Sequence, residues 1–183
     1  MAKAIIVGDG PGGLSAALFL SKNGVETTVY GDDQTAMHYA YLNNYLGAPR
    51  ISGSDFQELA RAQATSFGAE IVDTRVAAIE PSADGFEATL EDGSKASADY
   101  LILTEGKRPE LALALGVATD DDGNIEVDED FRSSIDRVYV VGRSARPKRS
   151  QAIISAGAGA TAALDILATE AGEDVQDWDT PDD

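Results

Sequence analysis

The chain has 183 residues, of which 43% are hydrophobic, and a net charge of −18 from 32 acidic and 14 basic side chains. This composition provides the core of one packed domain and argues against disorder of the whole chain. The acidic surface excludes nucleic acid as an expected partner, because phosphate contacts need a basic face. The absence of cysteine excludes disulfides, thiolate metal sites and thiol–disulfide chemistry by this chain alone.

The expected location is the cytoplasm, with no membrane span. The sequence has no apolar run of roughly 18 residues, and its start, Met-Ala-Lys-Ala-Ile-Ile-Val, lacks the features of a signal peptide. Salt screens the repulsion between like charges. We therefore interpret the excess of acidic side chains as a halophilic adaptation to a salty cytoplasm.

The first elements in chain order form a βαβ unit. Residues 4–7 are an apolar run that predicts a buried parallel strand. A glycine turn over residues 8–13 leads into a helix that should end near Asn23-Gly24. Residues 26–30 are rich in β-formers and predict the second strand, which completes a unit of about 30 residues.

A long polar loop is predicted over residues 31–53, and loops of this length inside a compact domain are usually functional. A helix should follow, with Ser54 as its N-cap and Gln57 completing a capping box. Gly68 should end this helix.

The later segments continue the alternation of strands and helices. We predict strands over residues 71–79, 86–90, 100–104 and 137–141. A long helix rich in small residues should follow over residues 151–169. This order indicates a doubly wound, Rossmann-like α/β fold with a small antiparallel β-meander. The expected organisation is a single domain over residues 1–171 and a loose acidic tail over residues 172–183.

The glycine turn has the spacing Gly8-x-Gly10-x-x-Gly13 between a strand and a helix, which is the context that a dinucleotide-binding fingerprint requires. Gly8 permits the tight turn, Gly10 lets a diphosphate approach the backbone, and Gly13 lets helix and strand pack closely. Free N–H groups at the helix N-terminus would hold the diphosphate. Asp32 and Asp33 are the candidate acceptors for a ribose hydroxyl, with the register between them open.

Residues 150–165 resemble the C-terminal FAD motif of thioredoxin reductases, with matches at Gln151, Ala152, Ile153, Ser155, Ala156, Gly157, Gly159 and Ala162-Ala163-Leu164. Residues 138–142 resemble the strand before that motif. Asn44-Tyr45-Leu46-Gly47 resembles the flavin-side loop of the family, and Thr104-Glu105-Gly106 resembles its Ala-Thr-Gly turn. The resemblance spans almost the whole chain.

This resemblance implies that the dinucleotide is FAD and that the chain is an FAD-binding domain. It also implies that the helix near Gln151 directs its N-terminus at the flavin, where backbone N–H groups of Ala152 and Ile153 would stabilise negative charge. With the glycine turn, the predicted cofactor-binding residues are Gly8, Gly10, Pro11, Gly12, Gly13, Gly31, Asp32, Asp33, Asn44, Val76, Gly106, Gly142, Arg143, Gln151, Ala152 and Ile153.

The chain departs from the family in three ways. The family inserts a nicotinamide-binding domain with a Cys-x-x-Cys motif, and this chain has neither a second glycine fingerprint nor a cysteine. A disulfide reductase mechanism is therefore not carried over. Gly142-Arg143 stands where the family has Gly-Asp, so the side chain expected at the ribityl chain of the flavin is positively charged rather than negatively charged.

Four basic side chains, Arg143, Arg146, Lys148 and Arg149, form a basic cluster beside the predicted flavin. They form either a solvated loop or a surface that attracts an anionic donor, such as NAD(P)H or an acidic redox protein. His38 is the single histidine, and we interpret it as a surface or packing residue rather than a proton relay. No Ser/His/Asp arrangement or metal-ligand spacing stands out.

The predicted function is an FAD-dependent oxidoreductase that takes electrons from a separate donor and has no disulfide reductase activity of its own. The alternatives are a non-catalytic FAD-binding redox sensor or subunit of a larger complex, and a module that binds NAD or ADP. The physiological donor and acceptor are not readable from the sequence. A homodimer is expected only by the resemblance, because that family pairs through its FAD domains.

Overall fold

A computed structural model describes residues 1–180 of the chain. The helices are α1 (Pro11–Lys22), α2 (Gly53–Ser66), α3 (Glu110–Leu115) and α4 (Ala152–Ala171). The strands are β1 (Lys3–Val7), β2 (Glu26–Gly31), β3 (Tyr41–Leu42), β4 (Ile51–Ser52), β5 (Glu70–Asp73), β6 (Val76–Ser82), β7 (Gly85–Leu90), β8 (Lys95–Ala98), β9 (Tyr100–Leu103) and β10 (Val138–Val140).

A five-stranded parallel sheet forms the centre of the domain, in the order β10-β9-β1-β2-β5. Ile6 of β1 pairs with Val29 on one side and with Ile102 on the other, and all three side chains are fully buried. The chain leaves β1 towards β2 and later returns to the opposite side of β1 with β9. In such sheets the ligand crevice opens at this reversal, beyond the carboxyl ends of the strands.

Three helices cover one face of the sheet, and α1 packs closely against α4. Small buried residues line the contact, among them Ala16, Ala17, Ala158, Ala162 and Ala163. A Cβ added to Gly159 would overlap the carbonyl oxygen of Gly12, so the two helix backbones touch at this point. By length and composition, α4 is also the one helix within residues 1–180 that could cross a membrane, a property shared by helices buried in a core.

An antiparallel meander, β6-β7-β8, covers the other face, together with α3. Phe86, Ala88 and Leu90 alternate along β7 and point into this second core. The predicted doubly wound α/β fold with a small meander is confirmed.

Three predictions about local structure are wrong. Residues 71–79 are not one strand but two, because the chain leaves the parallel sheet after Asp73 and enters the meander at Val76. Ser52, not Ser54, caps α2 by accepting the Asp55 N–H at 3.1 Å. Gln57 does not complete a capping box, because its Nε2 donates to the buried carbonyl of Asp9 at 2.6 Å.

Parts of two segments expected to be irregular are ordered by contacts. The predicted loop over residues 31–53 contains a 3-10 turn, Ala36–Tyr39, and the β3-β4 hairpin. In the predicted tail, Lys22 Nζ donates to Asp177 at 2.8 Å and to Asp179 at 2.6 Å, and Val175 packs against the core. The last three residues of that tail, 181–183, lie outside the described residues.

The contact between α1 and α4 gives the first prediction. Gly159→Ala should lower the free energy of unfolding by about 2 kcal/mol or more, because the new methyl group forces the two helices apart. Gly157→Ala is the matched control, since nothing lies within 4 Å of a Cβ there. It should raise stability by about 0.5–1 kcal/mol through the higher helix propensity of alanine. Denaturant unfolding measures both, and equal effects would contradict the close approach.

Candidate functional site

A cavity of about 790 Å³ opens beyond the carboxyl ends of β1, β2 and β9. This volume is within the usual range for ligand sites, about 300–1,000 Å³. Of the predicted cofactor residues, eleven line the cavity: Gly8, Gly10, Pro11, Gly12, Gly31, Asp32, Val76, Gly106, Gly142, Arg143 and Ala152. The remaining five are not among the lining residues: Gly13, Asp33, Asn44, Gln151 and Ile153.

The glycine turn has two glycines with structural roles and two that face the cavity. Gly8 has φ +100°, and a Cβ there would overlap the Thr104 carbonyl oxygen. A Cβ on Gly13 would overlap the Gly8 carbonyl oxygen, so Gly13 lets α1 pack on β1. Gly10 and Gly12 line the cavity, and an added Cβ on Gly10 meets only Thr35 Oγ1 at 3.6 Å. Space for a diphosphate is therefore preserved in front of α1.

The N-terminus of α1 begins at Pro11, and its N-cap, Gly10, has no side chain to occupy the free N–H groups. Helix N-termini of this kind bind anionic groups through exposed N–H groups and the helix dipole. The cavity and the uncapped helix thus fit the diphosphate of a dinucleotide.

The structure separates the two candidate ribose acceptors. Asp32 lines the cavity, and its Oδ2 accepts a hydrogen bond from Arg75 Nε at 2.5 Å. Asp33 has φ +57°, and its Oδ1 lies 3.1 Å from His38 Nε2, beside the cavity. Of the two carboxylates, Asp32 is therefore the better placed to accept a hydrogen bond from a ribose hydroxyl.

Asp9 is a buried site residue that the sequence reasoning missed. Asp9 lines the cavity, and its carboxylate packs against Gly31 and forms an ion pair with Arg61, which also binds Asp73. Burial raises the pKa of the Asp9 carboxyl, although the Arg61 guanidinium opposes the rise. The sequence did carry a signal for Asp9, since it stands between two glycines of a tight turn. A carboxylate buried at such a turn requires a cationic partner.

The opposite end of the cavity is formed by α4 and the loop before it. Ala152 lines the cavity, and the Gln151 side chain does not cap the free N–H groups of the helix. Gln151 Oε1 instead accepts a hydrogen bond from Asn44 Nδ2 at 3.0 Å, so Asn44 holds the start of α4. The Ile153 side chain is 37% exposed. A second helix dipole is thus directed at the site.

Glu105 replaces the threonine of the family turn and has an additional role. Glu105 lines the cavity, and its carboxylate accepts the N–H groups of Leu111 at 2.7 Å and Ala112 at 3.0 Å, which holds the start of α3. Burial raises the pKa of the Glu105 carboxyl, opposed by these two N–H donors.

The basic cluster is only partly at the cavity. Arg143 lines it, together with Lys107 and Arg108, for which the sequence carried no signal. Arg146 instead stacks over the Phe131 ring at 5.4 Å. Ser144 Oγ donates to the Gly106 carbonyl at 3.2 Å and joins the two basic loops.

His38 forms contacts that the sequence did not reveal. Its Nδ1 lies 2.9 Å from Ser54 Oγ, and its Nε2 lies 2.9 Å from the Asp33 carbonyl oxygen. No pattern in the sequence singles out these three residues, and the fold brings them together. They link the loop after β2 to the first turn of α2. Among residues 1–180 no cluster of potential metal ligands occurs.

A family model described as pyridine nucleotide-disulphide oxidoreductase matches residues 45–163, well over half of the chain. The chain belongs to this family. Monodehydroascorbate reductase 1 of Arabidopsis thaliana is 29% identical over 143 residues, which are 76% of this chain and 30% of the relative. A thioredoxin reductase of Eremothecium gossypii is 30% identical over 118 residues, which are 57% of this chain and 36% of the relative.

Solved structures show the same fold. A thioredoxin reductase from Gloeobacter violaceus superposes with a TM-score of 0.88 at 17% identity, over 98% of this chain and 99% of that one. An atypical thioredoxin reductase from Desulfovibrio vulgaris has a TM-score of 0.83 at 19% identity, with 94% and 99% covered. The resemblance to thioredoxin reductases is thus confirmed, and FAD is confirmed as the cofactor, since the family consists of FAD-binding flavoenzymes. The chain spans about a third of the length of the curated relatives.

Gly10→Ala gives the second prediction. A methyl group at this position enters the cavity without a clash in the fold, so FAD affinity should fall at least tenfold, about 1.4 kcal/mol, while the free energy of unfolding changes by less than about 1 kcal/mol. Flavin fluorescence titration and denaturant unfolding measure the two effects. Gly13→Ala is the contrasting variant and should destabilise the fold itself, because its methyl group overlaps Gly8. Unchanged FAD binding in Gly10→Ala would place the diphosphate elsewhere.

Glu105 gives a prediction of pH dependence. A carboxyl with a raised pKa holds its proton longer in the folded state, so its contribution to stability is present at low pH and is lost as pH rises. The stability of the wild type relative to Glu105→Gln should therefore fall as pH increases from 4 through the raised pKa. Urea unfolding of both proteins at a series of pH values tests this, and a rising difference would contradict the buried carboxyl.

Proposed function

We propose that this chain is the FAD-binding domain of an oxidoreductase that transfers electrons between a separate donor and a separate acceptor. The observation that supports this most directly is the pair of uncapped helix N-termini, those of α1 and α4, at the two ends of one cavity. A dinucleotide with a charged diphosphate and a reducible ring matches that arrangement.

The α1 end provides the diphosphate subsite. Gly10 and Gly12 keep the backbone accessible, and the helix dipole supplies positive potential in a chain of net charge −18. Local dipoles are needed at this end, because the long-range field of the protein repels an anion.

The α4 end provides the flavin subsite. When bound, FAD supplies a ring that accepts electrons and becomes more negative. The N–H groups at Ala152 and Ile153 stabilise negative charge at that end, and the Asn44–Gln151 hydrogen bond fixes the start of the helix. These residues favour acceptance of electrons over their release.

The donor side of the proposal rests on the basic rim of the cavity. Lys107, Arg108 and Arg143 line it, although only 14 side chains of the whole sequence are basic. Such a rim attracts an anionic donor, either NAD(P)H or an acidic redox protein. Disulfide reduction by this chain alone is not part of the proposal, because the sequence has no cysteine.

We extend the proposal to the assembly and location. Leu46, Ile153 and Ile154 are exposed apolar residues on two segments that the Asn44–Gln151 bond brings together, which favours pairing of two copies. A salty cytoplasm remains the expected location.

A non-catalytic FAD-binding subunit or redox sensor is the second candidate. It is favoured by the absence of cysteine from the sequence, which would leave disulfide chemistry to another protein.

Two measurements on the purified chain in concentrated salt test the function. The protein should be yellow or should become so with added FAD, because bound flavin absorbs visible light. It should then consume NADH or NADPH steadily with a quinone or dye as acceptor. Bound FAD without turnover by any donor supports the subunit or sensor. A colourless protein that FAD does not reconstitute contradicts the proposal as a whole.

A further inference from the structure

Arg75 lies between β5 and β6, next to Val76, and was introduced above only as the partner of Asp32. Its Nε donates to Asp32 Oδ2 at 2.5 Å, and both residues line the cavity. The second carboxylate oxygen of Asp32 accepts the Gln34 N–H at 3.3 Å. Two donors therefore fix the orientation of the Asp32 carboxylate at the cavity.

The pair lies at the rim of the cavity and remains accessible to a ligand. The Arg75 side chain is 58% exposed, and that of Asp32 is 33% exposed. The guanidinium presents further N–H donors beyond its bond to Asp32. A ligand that reaches Asp32 therefore also meets Arg75.

The surrounding charges explain why a cation is needed at this position. Asp9 and Asp73 share Arg61, and Asp33 lies against His38. Arg75 is the cation that contacts Asp32. Without it, the Asp32 carboxylate would add uncompensated negative charge close to the expected diphosphate.

We propose that Arg75 is a specificity-determining residue of the adenosine subsite. It orients Asp32 towards an unmodified ribose diol, and Asp32 in turn holds the guanidinium away from a 2′-phosphate. This inference rests on the proposed function, because it takes the ribose to lie at Asp32. The site thus selects FAD and ADP over nucleotides with a 2′-phosphate.

The first test compares Arg75→Ala with Lys95→Ala in the full chain freed of flavin. The Lys95–Glu87 pair is a matched control at 2.5 Å, with exposures of 57% and 39%, on the meander. Arg75→Ala should weaken ADP and FAD binding by about tenfold, the effect of one charge-assisted contact, and should leave FMN binding unchanged. Lys95→Ala should change none of the three. Calorimetry gives the dissociation constants.

The second test uses Asp32→Ser and adenosine 2′,5′-bisphosphate. Loss of Asp32 should weaken ADP binding and strengthen binding of the bisphosphate, because the released guanidinium can pair with the 2′-phosphate. Asp32→Ser combined with Arg75→Ala should lose that gain.

The outcomes separate this inference from the proposed function. If the wild type binds neither FAD nor ADP, the proposed function fails. If the wild type binds both, two results overturn the role of Arg75 while the function stands. One is that Arg75→Ala binds ADP and FAD as tightly as Lys95→Ala does. The other is that Arg75→Ala loses as much affinity for FMN as for FAD. A bisphosphate gain in Asp32→Ser that persists in the double variant also overturns it.

Discussion

The close backbone contact around the glycine turn is the constraint on which the rest of the structure depends. Gly8 touches the end of β9, Gly13 touches Gly8, and Gly12 touches Gly159 of α4. A methyl group on Gly8, Gly13 or Gly159 would overlap a backbone carbonyl oxygen and would force these elements apart. Because the elements approach this closely, the free N–H groups at the start of α1 and α4 face one shared cavity.

Charge is the second constraint on the site, because the negative charge of the chain opposes the binding of an anionic nucleotide. The chain is strongly acidic, yet its site must hold an anion. The structure resolves this by pairing the nearby acids with arginines, Asp9 with Arg61 and Asp32 with Arg75, and by relying on helix dipoles. Basic side chains are concentrated at the opposite rim, where a donor would approach.

Features with local signals were predictable from the sequence. Four of the five parallel strands, the glycine turn and the small-residue helix follow from the sequence, since periodicity and glycine spacing encode them directly. The break between β5 and β6 was missed, because Thr74 and Arg75 carry no turn signal. The capping box predicted at Gln57 does not form, because the Gln57 amide donates instead to the buried Asp9 carbonyl, a tertiary contact. The partners of Asp9 and Arg75 are distant in sequence, so no local pattern identifies Arg61 or Asp32 as the residues that they bind.

The contact between Gly12 and Gly159 joins the first helix to the last and has a consequence for biosynthesis. During synthesis α4 is made long after α1, so the surface of α1 that packs against α4 stays uncovered over that interval. Parallel sheets closed by such distant contacts fold slowly and pass through aggregation-prone intermediates with exposed apolar surface. The nascent chain must therefore remain soluble in an open state, and its dense negative charge keeps neighbouring copies apart during that delay.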